Sequence, residues 1–130
     1  MIVVDASAVL ELVLRTPVSA AIERRLFAIG QTLHAPHLLD LEVAQVLRRY
    51  EAAGDITAER ARQALQDFAD LPLERYPHDL FLWRIWELRR NVTAYDAAYL
   101  ALAEALPASL LTRDRRLARI PGVRARVIVV

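Results

Sequence analysis

The chain contains no cysteine and no lysine. Without cysteine there is neither a disulfide framework nor a thiolate metal site, and a reducing compartment suits such a chain. A phosphate-binding loop needs a glycine-rich turn ending in lysine. With three glycines and no lysine, that class of nucleotide enzyme is excluded. No apolar run is long enough to span a bilayer. The opening stretch "MIVVDASAVLELVL" lacks a basic leader and carries Asp5 and Glu11, which argues against a signal peptide. Excess charge is missing too: the formal net charge is +1, without the overall basicity that announces a nucleic-acid binder. What is present is a chain of 130 residues, 55% hydrophobic, enough for one compact domain over residues 1–130 with a substantial core. All 17 basic side chains are arginine. Their forks match phosphate well, although a codon bias toward arginine produces the same composition.

Strand and helix signals alternate along the chain. "MIVVD" reads as a short buried strand, followed by a helix from about Ser7 to Arg15. Thr16-Pro17 reads as an N-cap and first-position proline opening a helix that ends near Gly30. "TLHAP" is a strand, and "HLLDLEVAQVLRRYEAAG" a long helix closed by Gly54. Thr57 caps the next helix, which stops before Pro72. "LERYP" gives a third strand, and His78 to Arg90 another helix. The helix of "NVTAYDAAYLALAEAL" leads to the strand "SLLT", a short helix near Asp114 to Ile120, and a last strand "RVIVV". The alternation predicts an α/β fold: a three-layer α/β/α sandwich around a mainly parallel sheet.

In open sheets of this class ligands bind beyond the carboxyl ends of the strands. Asp5 ends the first strand, and Asp114 lies two residues past "SLLT". Asp96 opens a helix that feeds a parallel strand, so it starts at the same edge. Glu42 falls on the apolar stripe of its helix, four residues after Leu38 and four before Val46, where an unpaired carboxylate is costly. Each acid has a local explanation. Asp96 stands three residues after Thr93, the capping-box spacing. Asp5 or Ser7 suits the cap of the first helix, Asp114 suits the cap of "RRLAR", and Glu42 suits a buried arginine pair. Their joint placement resists these explanations. Two carboxylates about 5 Å apart repel by roughly 3 kcal/mol at an effective dielectric of about 20. With no lysine to neutralise the group, Mg²⁺ or Mn²⁺ is the simplest solution.

Four segments, "MIVVDASAVLELVL", "LLDLEVAQVLRR", "YDAAYLALAEAL" and "LLTRDRRLAR", resemble in order the signature segments of PIN-domain ribonucleases. The likeness is closest to the VapC-type toxins of type II toxin–antitoxin modules, and it covers essentially the whole chain. It implies a metal-dependent endoribonuclease of the cytoplasm, neutralised by a VapB-type antitoxin and working as a homodimer. The family's acidic quartet falls on Asp5, Glu42, Asp96 and Asp114, and its small hydroxyl positions on Ser7 and Thr112. Asp5, Asp96 and Asp114 would be the main Mg²⁺ ligands, with Mn²⁺ as a substitute. Glu42 would hold or deprotonate the attacking water, while Ser7 and Thr112 orient ligands or waters.

Other features stand beside this reading. Arg113, Arg115, Arg116 and Arg119 flank the acids and suit an RNA backbone, or equally a solvated helix face. Asn91 fits a polar family position or a turn. In "DLFLWRIWELRR" the stripe Phe81, Leu82, Ile85 and Leu88 accounts for a core face. Trp83 or Trp86 is then left as a partner surface, unless the helix is buried all round. None of the three histidines has catalytic spacing. A receiver domain also collects acids on a parallel sheet, but it needs a lysine. A housekeeping PIN nuclease and an inactive PIN interaction module are the remaining rivals.

Overall fold

The first strand, β1 (Ile2–Val4), is buried along its whole length, as a central strand covered on both faces requires. It lies in the middle of a five-stranded sheet in the order β3-β2-β1-β4-β5, in a computed structural model describing residues 1–130. The other strands are β2 (Leu33–Pro36), β3 (Leu73–Tyr76), β4 (Ser109–Thr112) and β5 (Arg126–Val129). Every neighbouring pair is parallel. The helices are α1 (Ala6–Val13), α2 (Ser19–Leu26), α3 (Leu38–Ala52), α4 (Ala58–Ala69), α5 (Leu82–Glu87) and α6 (Ala94–Ala105). Helices α1, α3 and α4 pack on one another, and α5 packs on α6. Right-handed crossovers put those two groups on opposite faces of the sheet, giving the expected three-layer sandwich.

The order also fixes where a crevice opens. From β1 the chain winds outward through β2 and β3, then returns across the sheet to place β4 on the other side of β1. The direction of winding reverses between β1 and β4, so their carboxyl ends diverge into helices on opposite faces. Helix α6 is the returning element, and residues Ala97 to Ala103 are all buried. Its four alanines in that stretch let it lie close against the sheet. No helix is long and apolar enough to cross a membrane.

Several boundaries differ from those expected. Asp5, not Ser7, caps α1, accepting the Ala8 N–H at 3.1 Å. That helix stops at Val13, because Arg15 takes a positive φ of 55°. Thr16-Pro17 does not open α2: Val18 is its cap, and the Thr16 hydroxyl donates back to the Glu11 carbonyl. A long-range demand of the α1–α2 corner therefore outweighs the local cap signal. Helix α2 ends at Leu26, with Gly30 four residues on in a left-handed turn. The single helix expected from His78 to Arg90 is a 3-10 turn, His78–Phe81, followed by the short α5. Its expected core stripe is only partly right, since Leu88 is buried but Leu82 is exposed. Trp83 and Trp86 are both exposed, at 78% and 59%, so the helix is not buried all round.

Candidate active site

The acids meet at the β1–β4 crevice, and the local chain explains how each is held. Asp5 leaves β1 in extended conformation, its N–H bonded to the Leu111 carbonyl of β4 at 3.2 Å. The residue is 7% exposed. One carboxylate oxygen accepts from the Ser7 hydroxyl at 2.6 Å and from the Ala8 N–H, the other from the Thr112 hydroxyl. Thr112 is fully buried at the end of β4 and also accepts the Asp114 N–H at 2.9 Å. Ser7 in turn accepts the Arg113 N–H at 2.9 Å. The two small hydroxyls thus lace the first strand to the fourth around Asp5. Replacing Thr112 by valine keeps the volume but strands the Asp114 N–H and removes a donor from Asp5. We expect a loss of about 1–3 kcal/mol in chemical denaturation, together with reduced activity.

Asp96 sits in the first turn of α6 beneath the Thr93 cap, whose hydroxyl accepts the Asp96 N–H at 3.2 Å. The capping box is half built: the Asp96 carboxylate makes no return bond to the Thr93 N–H. Burial, then the Asp114 charge, push its carboxyl above the usual range, with Arg116 and the Thr93 hydroxyl opposing. Glu42 is half-buried on the flank of α3. The stripe facing the core is Leu39, Val43 and Leu47, so the glutamate lies beside its centre. Burial and repulsion from Asp96 and Asp5 push its carboxyl up to about 7. Asp5 is raised too, chiefly by burial, with its hydroxyl and N–H donors pulling the other way. No arginine pairs with Asp5, Glu42 or Asp96.

Asp114 behaves differently. It caps the 3-10 turn Arg115–Arg119, and the Arg116 guanidinium grips both its oxygens at 2.6 to 3.1 Å. That grip holds its carboxyl below the usual range. Of the flanking arginines, Arg113 is occupied with Glu11 at 3.3 Å and with the Val130 carbonyl, while Arg115 and Arg119 form no ion pair. As the side chains stand, no trio of histidine, aspartate and glutamate converges closely enough to hold an ion. The acids repel one another, and Asp114 is turned onto Arg116. The donor set nevertheless suits a hard divalent cation: all-oxygen, anionic, and uncompensated at three of four positions.

Sequence reasoning missed one member of the site. Tyr99 is 1% exposed, and its hydroxyl is the one buried side-chain polar atom without a hydrogen-bond partner. It faces the Glu42 carboxylate without completing a bond, and burial and the charges of Glu42, Asp5 and Asp96 push its ionisation far up. The signal was its place three residues after Asp96, on the same helix face.

Residues 2–123 match the family described as PIN domain. The chain belongs to the PIN-domain family. It is 45% identical over 129 residues to Ribonuclease VapC1 of Mycobacterium tuberculosis, covering 98% of this chain and 96% of the relative. It is 44% identical over 130 residues to Ribonuclease VapC9 of the same organism, covering 100% and 98%. Its place is therefore among the VapC-type members. The VapBC2 structure from Rickettsia felis, bound to a promoter DNA fragment, superposes with a TM-score of 0.73 at 18% identity, covering 98% of both chains. Mycobacterium tuberculosis VapC20, a sarcin-ricin loop cleaving toxin, does so at 0.67 and 16% identity, covering 97% of this chain and 99% of that one. Both show the fold.

Proposed function

We propose that this PIN-domain protein is a metal-dependent endoribonuclease toxin of the cytoplasm, held inactive by a cognate VapB-type antitoxin. The observation that carries the reading is the arrival of Asp5, Glu42, Asp96 and Asp114, from four separate segments, at one switch-point crevice. Asp5, Asp96 and Asp114 would hold Mg²⁺, or Mn²⁺ in its place, with Glu42 beside them. The chemistry such an ion supplies when bound is charge neutralisation and Lewis acidity toward a water and a phosphodiester oxygen. The protein's own part is positional. Ser7, Thr112 and the Ala8 N–H fix the Asp5 carboxylate in one orientation. Glu42, half-buried beside Asp96 and Asp5, would take a proton from the attacking water. The water oxygen would bond to phosphorus as the bond to the 3′-oxygen breaks, that oxygen taking a proton from solvent and Glu42 returning its own to solvent. A 5′-phosphate and a 3′-hydroxyl result.

The exposed face of α5, with Trp83, Trp86 and Leu82, is an apolar patch suited to burial against a second copy of the chain. Purified protein should cut single-stranded RNA with Mg²⁺ and stop when EDTA is added. Cleavage that persists in EDTA would overturn the metal reading. Activity indifferent to a co-expressed antitoxin would favour a housekeeping nuclease.

A further inference from the structure

Beside the acids a cleft of about 480 Å³ runs between α1 and α3. Ser7 and Glu42 belong to its wall, so its space is continuous with the catalytic crevice. The rest of the wall is partly apolar, with Leu10 and Leu14, and carries Glu11, Arg49, Tyr50 and Arg113. Along α3, Glu42, Val46, Arg49 and Tyr50 share one face by helical spacing. Arg49 starts about 10 Å further along the helix axis than Glu42, and its side chain leans back toward the helix N-terminus. Arg49 takes part in none of the chain's ion pairs. Tyr50 is 38% exposed. Glu11 is steadied by Arg113 at 3.3 Å, and Arg113 is itself fixed through its N–H on Ser7.

The geometry points to a nucleotide subsite: one nucleotide adjoining the scissile phosphodiester lies in this cleft, its base on Tyr50 and its far phosphate on Arg49. This rests on the ribonuclease reading above. A strand with one phosphodiester at the acids must lay a neighbour somewhere within a nucleotide's reach, and the cleft opens from the same wall. Each part of its chemistry has a use there. An exposed aromatic face stacks bases of any kind, a free guanidinium takes a phosphate, and an oriented carboxylate accepts from an exocyclic amine. A basic peptide strand would meet Glu11 and Glu42 with opposite charge but Arg49 with like charge, and it is the occupant the test separates from RNA.

The test uses full-length protein, Mg²⁺ and short single-stranded RNA oligonucleotides that vary in the bases flanking the cut. Tyr50→Ala should raise KM roughly tenfold or more, as loss of one stacked base does, with kcat little changed. Arg49→Gln should raise KM and lower the slope of log affinity against log salt by about 0.7. Glu11→Gln should alter the preferred flanking base. Arg48→Gln, on a different face of α3, is the control and should leave KM unchanged. All are exposed or partly exposed positions, and circular dichroism checks the fold. Wild-type KM, salt slope and base preference in all three variants would overturn the subsite. So would variants that cut normally yet escape antitoxin inhibition, which would assign the cleft to the peptide. If wild-type protein cuts no RNA with Mg²⁺, the ribonuclease reading itself fails. Binding of labelled oligonucleotide by Asp96→Asn protein, with and without Tyr50→Ala, then decides the cleft separately: equal binding overturns it.

Discussion

Asp96→Asn is expected to abolish RNA cleavage while raising the melting temperature of the metal-free protein. The activity loss follows from removing one of the proposed metal ligands. Groups that merely support such ligands cost ten- to a hundredfold when removed, so a ligand should cost at least about a hundredfold. The stability gain follows from the surroundings. Asp96 lies half-buried beside Asp114, with Asp5 and Glu42 in electrostatic reach, and its carboxyl is pushed above the usual range. The amide relieves that repulsion and keeps the N–H that Thr93 caps. Against this stands the loss of a negative charge in the first helical turn, about 0.3–1 kcal/mol at an exposed site. No return bond to the Thr93 N–H is lost, because none is made. Relief should exceed the loss by on the order of 1 kcal/mol. Melting curves in EDTA, run beside a cleavage assay, decide the matter: a destabilised but active variant would reduce Asp96 to a helix-starting residue.

The sheet and the placement of the acids were legible because both follow from local rules. The short runs "IVV" and "SLLT", apolar at their centres and bounded by turn signals, read as covered strands, and once strands alternate with helices, their carboxyl ends are fixed in sequence. The two small hydroxyls stand out only through family resemblance; in the structure both donate to Asp5. What was not legible depended on tertiary contacts. Thr16-Pro17 has the local form of a helix start, yet the corner between α1 and α2 spends the threonine hydroxyl on the Glu11 carbonyl. The stretch from His78 to Arg90 carries a helical stripe, but it begins as a 3-10 turn with the His78 ring accepting the Leu38 N–H at 2.8 Å. By sequence Arg116 belongs with the arginines suited to RNA, whereas in the structure it is spent on Asp114. Tyr99 lies in a helix that is buried from Ala97 to Ala103, and nothing local marks its hydroxyl. Only the convergence of α3 with α6 makes its hydroxyl part of the site.

Glu42 should give the metal-free protein a stability that falls between about pH 4.5 and 7 and that Mg²⁺ restores. Its carboxyl rises from 4.5 unfolded to about 7 folded, so the folded chain holds the proton more tightly. The stabilising contribution is therefore fully present below the unfolded value and is lost as pH rises through the folded one. Asp5 and Asp96 shift in the same direction. Asp114 shifts the other way, and its effect lies in acid, below its ordinary 3.8. Taken whole, the Glu42 shift corresponds to about 3 kcal/mol. Because the side chain is only half-buried, solvent screening leaves roughly 1–2 kcal/mol. That amounts to a fall in Tm on the order of 5 °C between pH 5 and pH 8. A divalent ion at a hundred times its Kd adds about 2.7 kcal/mol to the folded state. It should do so at pH 8, where the carboxylates are free, and far less at pH 5, where protons compete for them. Glu42→Gln should flatten the metal-free profile and lift the pH 8 melting point, at the cost of cleavage. Calorimetric scans of both proteins with EDTA and with Mg²⁺ at pH 5 and 8 measure all of this. A wild-type Tm indifferent to pH in EDTA would remove the charged cluster as a source of strain, and with it the reason for a cation there.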